Sequence, residues 1–463
     1  MAKLTAEQRK YKLANDEPGP LLRELGIPAM MGMLITALNN VIDTIFIGHA
    51  LGMKAVGGLA IVFPLQMIFL AVAQAIGTGG GSIVSISLGK NRFDDANRVL
   101  GNVFTFVTIF SLLFLAAGVF YMRPILRVFG ATEAIIDFAK SFAEVTIWGF
   151  FFYAMSMALS NIVRAEGNTM VALVSRVVGA VVKIVLTPVF LFIFRWGMEG
   201  AALSSVIANI LSLVVIMAYM FSKDSLLKLK LSCMKPDFKI FYQISVLGSS
   251  VLIRYMAGSI VAILVNNTLS YYGQYFYIAM YGIIYRMKMF IFQPLFGLGQ
   301  GMQPIVGFAV GTMNIPRIIR TLKLSFLWAT IISVIGWGLI VIFNEEAVKL
   351  FGSSKRLVEN GDDLLLIANI MLPTAGFQII AGTMFTALGK GIPSMIVSLS
   401  RQTLFFIPLL ILLPLWYEAW GVWYAIPLSE FLSFLVCAVM VWLEFRNLKR
   451  LEKAQAQAGI VTG

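Results

Sequence analysis

The chain has 463 residues, of which 59% are hydrophobic and 13% charged, and its formal net charge is +13. So few charges cannot cover a water-soluble surface, and a core of ordinary domain size cannot hide so many apolar side chains. This excludes a string of soluble domains, and the same composition excludes disorder. An integral membrane protein remains, with no nucleic-acid partner, because a basic surface patch would need a soluble domain to carry it.

The first residues hold Lys3, Arg9, Lys10 and Lys12 among polar neighbours, with no short apolar core before a cleavage site. They read as a tail (1–21) and not as a secretory signal. A bilayer core of about 30 Å needs around 20 apolar residues per helix. The apolar runs predict twelve such helices at 22–48, 56–88, 99–121, 138–164, 170–194, 199–222, 240–270, 277–310, 323–343, 363–388, 394–415 and 421–445. A basic segment at 223–239 links two halves (22–222 and 240–445), and 446–463 forms a second tail. Of the 36 Lys and Arg, 21 fall in segments on the N-terminal side of the membrane and seven on the other. The positive-inside rule then places both termini in the cytoplasm. Trp416, Trp420 and Trp423 are expected at one outer boundary and Trp442 at an inner one. His49, at the outer end of the first helix, is expected to be solvated, and Glu144 to be interfacial.

The halves align at one offset. Gly26 matches Gly248, Gly77 and Gly79 match Gly299 and Gly301, Gly89 matches Gly311, Arg98 matches Arg320, and Gly167 matches Gly389, each pair 222 positions apart. Each unit holds six helices, an even number, so the two are parallel repeats about an axis along the membrane normal, an arrangement suited to alternating access. GTGGG (77–81) and GLGQG (297–301) lack the preceding strand and the following Lys-Ser/Thr of a phosphate loop. Gly77, Gly79, Gly299 and Gly301 are instead expected to act as hinges or close-packing points. Cys233 and Cys437 suggest neither a disulfide framework nor a metal site. No nucleophile–base pair or metal cluster is visible in the sequence, so no catalytic residue, metal or cofactor is assigned and an enzyme is not expected.

LNNVIDTIFIG (38–48), RAEGNTMVALVSRVVGA (164–180), GLGQGMQPIVG (297–307) and TALGKGIPSMIVSLSRQTLFFIP (386–408) resemble segments of the multidrug and toxic compound extrusion (MATE) transporters. The resemblance spans essentially the whole chain and is strongest to the bacterial MepA-like branch. It implies an all-α membrane protein of two six-helix bundles set in a V, a monomer in the bacterial inner membrane. It also implies export of small amphiphilic, usually cationic, compounds coupled to a proton or sodium gradient.

Ionisable groups inside a bilayer persist when paired, water-lined or used. Thr36, Asn39, Asn40 and Asp43 fall at i, i+3, i+4 and i+7 and so share one face of the first helix. A carboxyl there suits a proton carrier, and with amide oxygens it would also suit sodium. By resemblance, Asp43 matches the family's coupling carboxylate. The fifth helix departs from the family, reading Lys183 and Thr187 where an Asn and an Asp are usual. A Lys ammonium near Asp43 would act as a tethered cation, which favours protons over sodium and predicts an Asp43–Lys183 pair that opens during the cycle; a static pair is the alternative. In the second half, Glu430, Arg286, Gln293, Gln300 and Arg254 are expected to line a polar cavity, with Glu430 paired to Arg286 or Arg401. These basic residues also leave open a flippase for a lipid-linked precursor or an exporter of organic anions. A cation exporter needs a net acidic cavity and an anion exporter a net basic one, so the placement of these side chains discriminates.

Overall fold

The twelve predicted spans are recovered as helices that mostly run a few residues past each predicted end, because flanking polar residues continue the helical hydrogen bonding beyond the apolar stretch. The structure is a computed structural model describing residues 5–133, 135–272, 275–344, 346 and 355–457, without the side chains at 40, 41, 53, 275, 279 and 355–360. A short helix α1 (Ala6–Asn15) precedes the spans α2 (Pro18–Leu51), α3 (Met53–Gly89), α4 (Phe93–Val128), α5 (Ile136–Ala165), α6 (Thr169–Pro188) and α7 (Gly197–Phe221). The second half holds α8 (Phe238–Tyr271), α9 (Tyr275–Gly311), α10 (Ile315–Ile342), α11 (Lys355–Asn369), α12 (Leu372–Ala387), α13 (Gly391–Leu399), α14 (Phe406–Leu412) and α15 (Pro414–Gln457). Among the described residues, eleven helical stretches are long and apolar enough to cross a bilayer, with α11–α12 and α13–α14 each contributing one. The 37-residue α9 brings the set to the predicted twelve. π-turns at Val189–Ile193 and Ser400–Leu404 continue α6 and α13.

The repeat is visible in the backbone. Asn91 (φ 60°) and Met313 (φ 57°) take the same left-handed conformation after α3 and α9, as do Gly167 (φ 82°) and Gly389 (φ 75°) after α5 and α12. Within the first bundle α3 packs on α5 and α5 on α7; across the bundles α2 packs on α9 and α3 on α8, a reciprocal pair under the repeat. Glycines permit that approach. A Cβ on Gly301 would lie 2.5 Å from the Gly26 Cα, and one on Gly79 3.1 Å from the Gly248 nitrogen, which are repeat-equivalent contacts. Gly77 and Gly299 instead pack inside their own bundles, against Ala158 and Thr383.

Helix α1 and the linker are tied down. Thr5 and Gln8 form a capping box at α1, and Leu13 is buried against Gly167. Arg9 donates to the Asp224 carbonyl and lies 5.4 Å over the Tyr219 ring. On the other bundle, Arg317 donates to the Lys12 carbonyl, so α1 straps the two bundles; Arg320 pairs with Glu17 at the start of α2. The linker lies along α4, where Asn97 and Asn102 accept from the Lys228 and Asp237 amides, each at 2.8 Å. Buried Glu166 accepts from the Tyr219 hydroxyl (2.8 Å), the Ser225 hydroxyl and the Leu226 amide. Burial pushes its carboxyl above the usual carboxylate range, opposed by those donors and by nearby Arg9.

Apolar side chains on α4, α7 and α10 and on the π-turn after α6, such as Phe120, Phe221, Ile335 and Ile193, are exposed as a lipid-facing surface requires. Trp416 and Trp442 are also exposed, as boundary residues should be. Trp423 is fully buried and near Tyr277, so it packs a core where the sequence suggests an interface.

Candidate functional site

Two adjoining cavities lie where the bundles face one another, and Met33 (α2), Gln74 (α3) and Gln300 (α9) line both. The first also meets Thr36, Arg164 and Arg176; the second meets Arg254, Gln303 and Thr383. Among the described residues, no Asp or Glu lines either one.

A polar relay borders the first cavity. Arg164 Nη2 donates to Asn161 Oδ1 (2.8 Å), and Asn161 Nδ2 donates to Gln74 Oε1 (2.8 Å). Guanidinium can only donate, so its contact fixes the orientation of the Asn161 amide, which in turn fixes that of Gln74. The Gln74 amide nitrogen is left as the donor terminus of the chain. Arg176 donates to the Met157 sulfur, a weak acceptor. Arg254 sits 4.4 Å over the Phe296 ring and Arg401 4.5 Å over Phe292, each cation resting on an aromatic face. None of Arg164, Arg176, Arg254 and Arg401 forms an ion pair among the described residues.

A second layer lies seven residues further along both contributing helices, about 10 Å at 1.5 Å per residue. From Thr36 on α2 this step reaches Asp43, and from Arg176 on α6 it reaches Lys183. Lys183 Nζ is 2.6 Å from Asp43 Oδ2, with side-chain exposures of 12% and 13%. The other carboxylate oxygen, Oδ1, is buried without a partner, as is Asn39 Oδ1 one turn earlier. Thr187 turns to α7 and shares a hydrogen bond with Ser204 at 2.8 Å. The side chain of Asn40 lies outside the described residues.

The second bundle has its own buried pair. Glu430 meets Lys288 at 3.1 Å, where the sequence points to Arg286 or Arg401. Residues two apart project about 200° apart around a helix; on α9 Lys288 is the buried one, and Arg286 is exposed. Glu430 Oε2 and Gln293 Oε1 are buried without partners. Of the five residues expected to form one polar cavity in this bundle, Arg254 and Gln300 line the cavity between the bundles, while Glu430, Gln293 and Arg286 do not. His49 is exposed, and exposed Glu144 pairs with Lys140 at 3.4 Å.

Gln74, Asn161 and Arg164 are not among the residues that the sequence points to. The available signal is an Arg and an Asn three apart, near the end of an apolar run, and a lone mid-span Gln. No group of three or more His, Cys, Asp or Glu that could hold a metal occurs among the described residues.

The MatE family model matches residues 28–189 and again 250–412, so the family pattern itself recurs at the repeat offset. The multidrug export protein MepA of Staphylococcus saprophyticus is 21% identical over 447 residues, 95% of this chain and 96% of that one. Among solved structures, the MATE multidrug transporter DinF-BH in complex with rhodamine 6G is 34% identical with a TM-score of 0.87, covering 93% of this chain and 96% of that one. An outward-facing multidrug-resistance MATE transporter of the MOP superfamily shares the fold at 21% identity and a TM-score of 0.88, covering 96% and 98%.

Proposed function

Because the chain belongs to the MATE family, we propose that it is a secondary antiporter that exports small amphiphilic compounds by alternating access, with the proton as coupling ion. The observation that carries the reading is the Asp43–Lys183 pair, set one layer beyond a cavity between two repeat-related bundles. A proton on Asp43 removes the negative charge that holds Lys183. The ammonium is then released, and the contact between α2 and α6 is free to change with the facing of the cavity. Sodium would have to enter a site whose carboxylate already holds a cation, with Thr187 turned to Ser204, so the proton is the better-matched ion. The glycine contacts between α2 and α9 and between α3 and α8 supply a smooth surface on which the bundles can rock. The excess of basic residues on the terminus-bearing side supports a bacterial plasma membrane orientation with both termini in the cytoplasm.

The relatives named for multidrug export, and the rhodamine 6G held by DinF-BH, supply the first probe. Purified protein in liposomes should move an amphiphilic dye, rhodamine 6G or an anionic counterpart, when a pH gradient is imposed in sodium-free buffer. Equal or faster transport driven by a sodium gradient alone would contradict proton coupling.

A further inference from the structure

We infer that the central cavity is an anion site, and that the substrate is an amphiphilic organic anion with a carboxylate, sulfonate or phosphate group on an apolar body. This rests on the transporter reading above and narrows its substrate class; it differs from the cationic substrate that the family resemblance implies.

Charge placement is the first ground. Arg164 and Arg176 line the first cavity and Arg254 the second, and among the described residues no carboxylate lines either. Among the described residues of the spans, the buried carboxylates Asp43, Glu430 and Glu444 are each held by a Lys and lie outside the lining. A cationic substrate would meet three guanidinium groups and no counter-charge. An anion would meet donors that lack strong acceptors: Arg176 is satisfied by a sulfur, and Arg254 by the face of Phe296.

The relay adds direction. Arg164 forces Asn161 and then Gln74 into the orientation that leaves an amide N–H pair at the Gln74 end, where both cavities meet. That terminus donates to an anion and offers nothing to an ammonium. Met33 and Phe296 give the apolar surface on which the body of an amphiphile can lie.

The test compares two dyes that share a xanthene ring skeleton and differ in charge: carboxyfluorescein, an anion, and rhodamine 6G, a cation. Binding is followed by fluorescence polarisation to the full-length protein in lipid nanodiscs. Carboxyfluorescein should bind the more tightly, and Arg254→Gln and Arg176→Gln should each weaken it about tenfold or more, the worth of a charge-assisted hydrogen bond. Arg254→Lys, which keeps the charge and the fold, should retain most of the affinity, and rhodamine 6G should bind the two Gln variants at least as well as the parent. Tighter binding of rhodamine 6G, or anion binding indifferent to both Arg→Gln changes, overturns the inference. So does failure of carboxyfluorescein to bind. A parallel flux assay in liposomes keeps the two claims apart. Arg-dependent anion binding without flux contradicts transport and supports the anion site, while flux of rhodamine 6G but not of carboxyfluorescein supports transport and contradicts the anion site.

Discussion

Gly311 and Gly89, 222 positions apart in the sequence, meet backbone to backbone where the two bundles touch. A Cβ on Gly311 would stand 2.7 Å from the Gly89 Cα, and one on Gly89 2.9 Å from the Gly311 Cα. The pair occupies the same place in each repeat, so the contact lies on the pseudo-two-fold axis. Contacts of this kind let packing replace the hydrophobic driving force that lipid does not supply.

Gly311→Ala should therefore cost about 1–3 kcal/mol through overpacking. Because the nearest atoms are backbone, the bundles themselves must part. Thermal unfolding in detergent reads this as a lowered midpoint. Gly338→Ala is the control: nothing lies within 4 Å of its added methyl, so it should be neutral or stabilise α10 by roughly 0.5–1 kcal/mol. Equal midpoints for the two variants would show that the Gly89–Gly311 contact does not hold the bundles together.

The Lys288–Glu430 pair lies outside both cavities, and we propose that its role is structural. Lys288→Met alone leaves a carboxylate in an apolar core and should destabilise by about 3–5 kcal/mol. The double change with Glu430→Met should recover most of that loss, because two apolar side chains of similar size replace a desolvated pair. A double-mutant cycle on unfolding midpoints checks this. A double variant no better than the single would mean that the pair has another role.

Glu166 gives the strapped end a pH dependence. Its carboxyl is raised by burial, so the folded state holds the proton longer than the unfolded one. The stability tied to this group is fully present below the ordinary carboxylate range and is lost as pH rises through the raised value. Amide protection at Ser225 and Leu226, corrected for intrinsic exchange, should fall across that window, and Glu166→Gln should flatten the dependence. Protection that rises with pH would reverse the assignment.

The fold is legible in the sequence because a bilayer imposes one length and one composition on every span. The repeat is legible because glycines at close contacts leave a fixed spacing. Asp43 and Lys183 stand out for a similar reason: each is a lone charge in an apolar run. The partner of Glu430 is not legible, since Arg286 and Lys288 are two residues apart and sequence does not set how α9 is rotated. Arg164 and Gln74 carry no such mark, because the relay joins α3 to α5 and its direction follows from a hydrogen-bond chain that only the packed helices create. The strap α1 does carry a local signal, Thr5 with Gln8 three residues on, which is the spacing of a capping box. Its docking, however, depends on Asp224 and Arg317, far away in the chain.

Proton coupling through Asp43 and Lys183 is tested most directly by the proton count per substrate. Liposomes carrying a luminal pH dye are given carboxyfluorescein or rhodamine 6G, and proton movement is recorded beside substrate movement in sodium-free buffer. The parent should show coupled, opposite fluxes, Asp43→Asn should bind substrate without coupled proton flux, and Lys183→Ala should run a leaky or uncoupled cycle. Parent-like coupled flux in Asp43→Asn would contradict proton coupling at this pair.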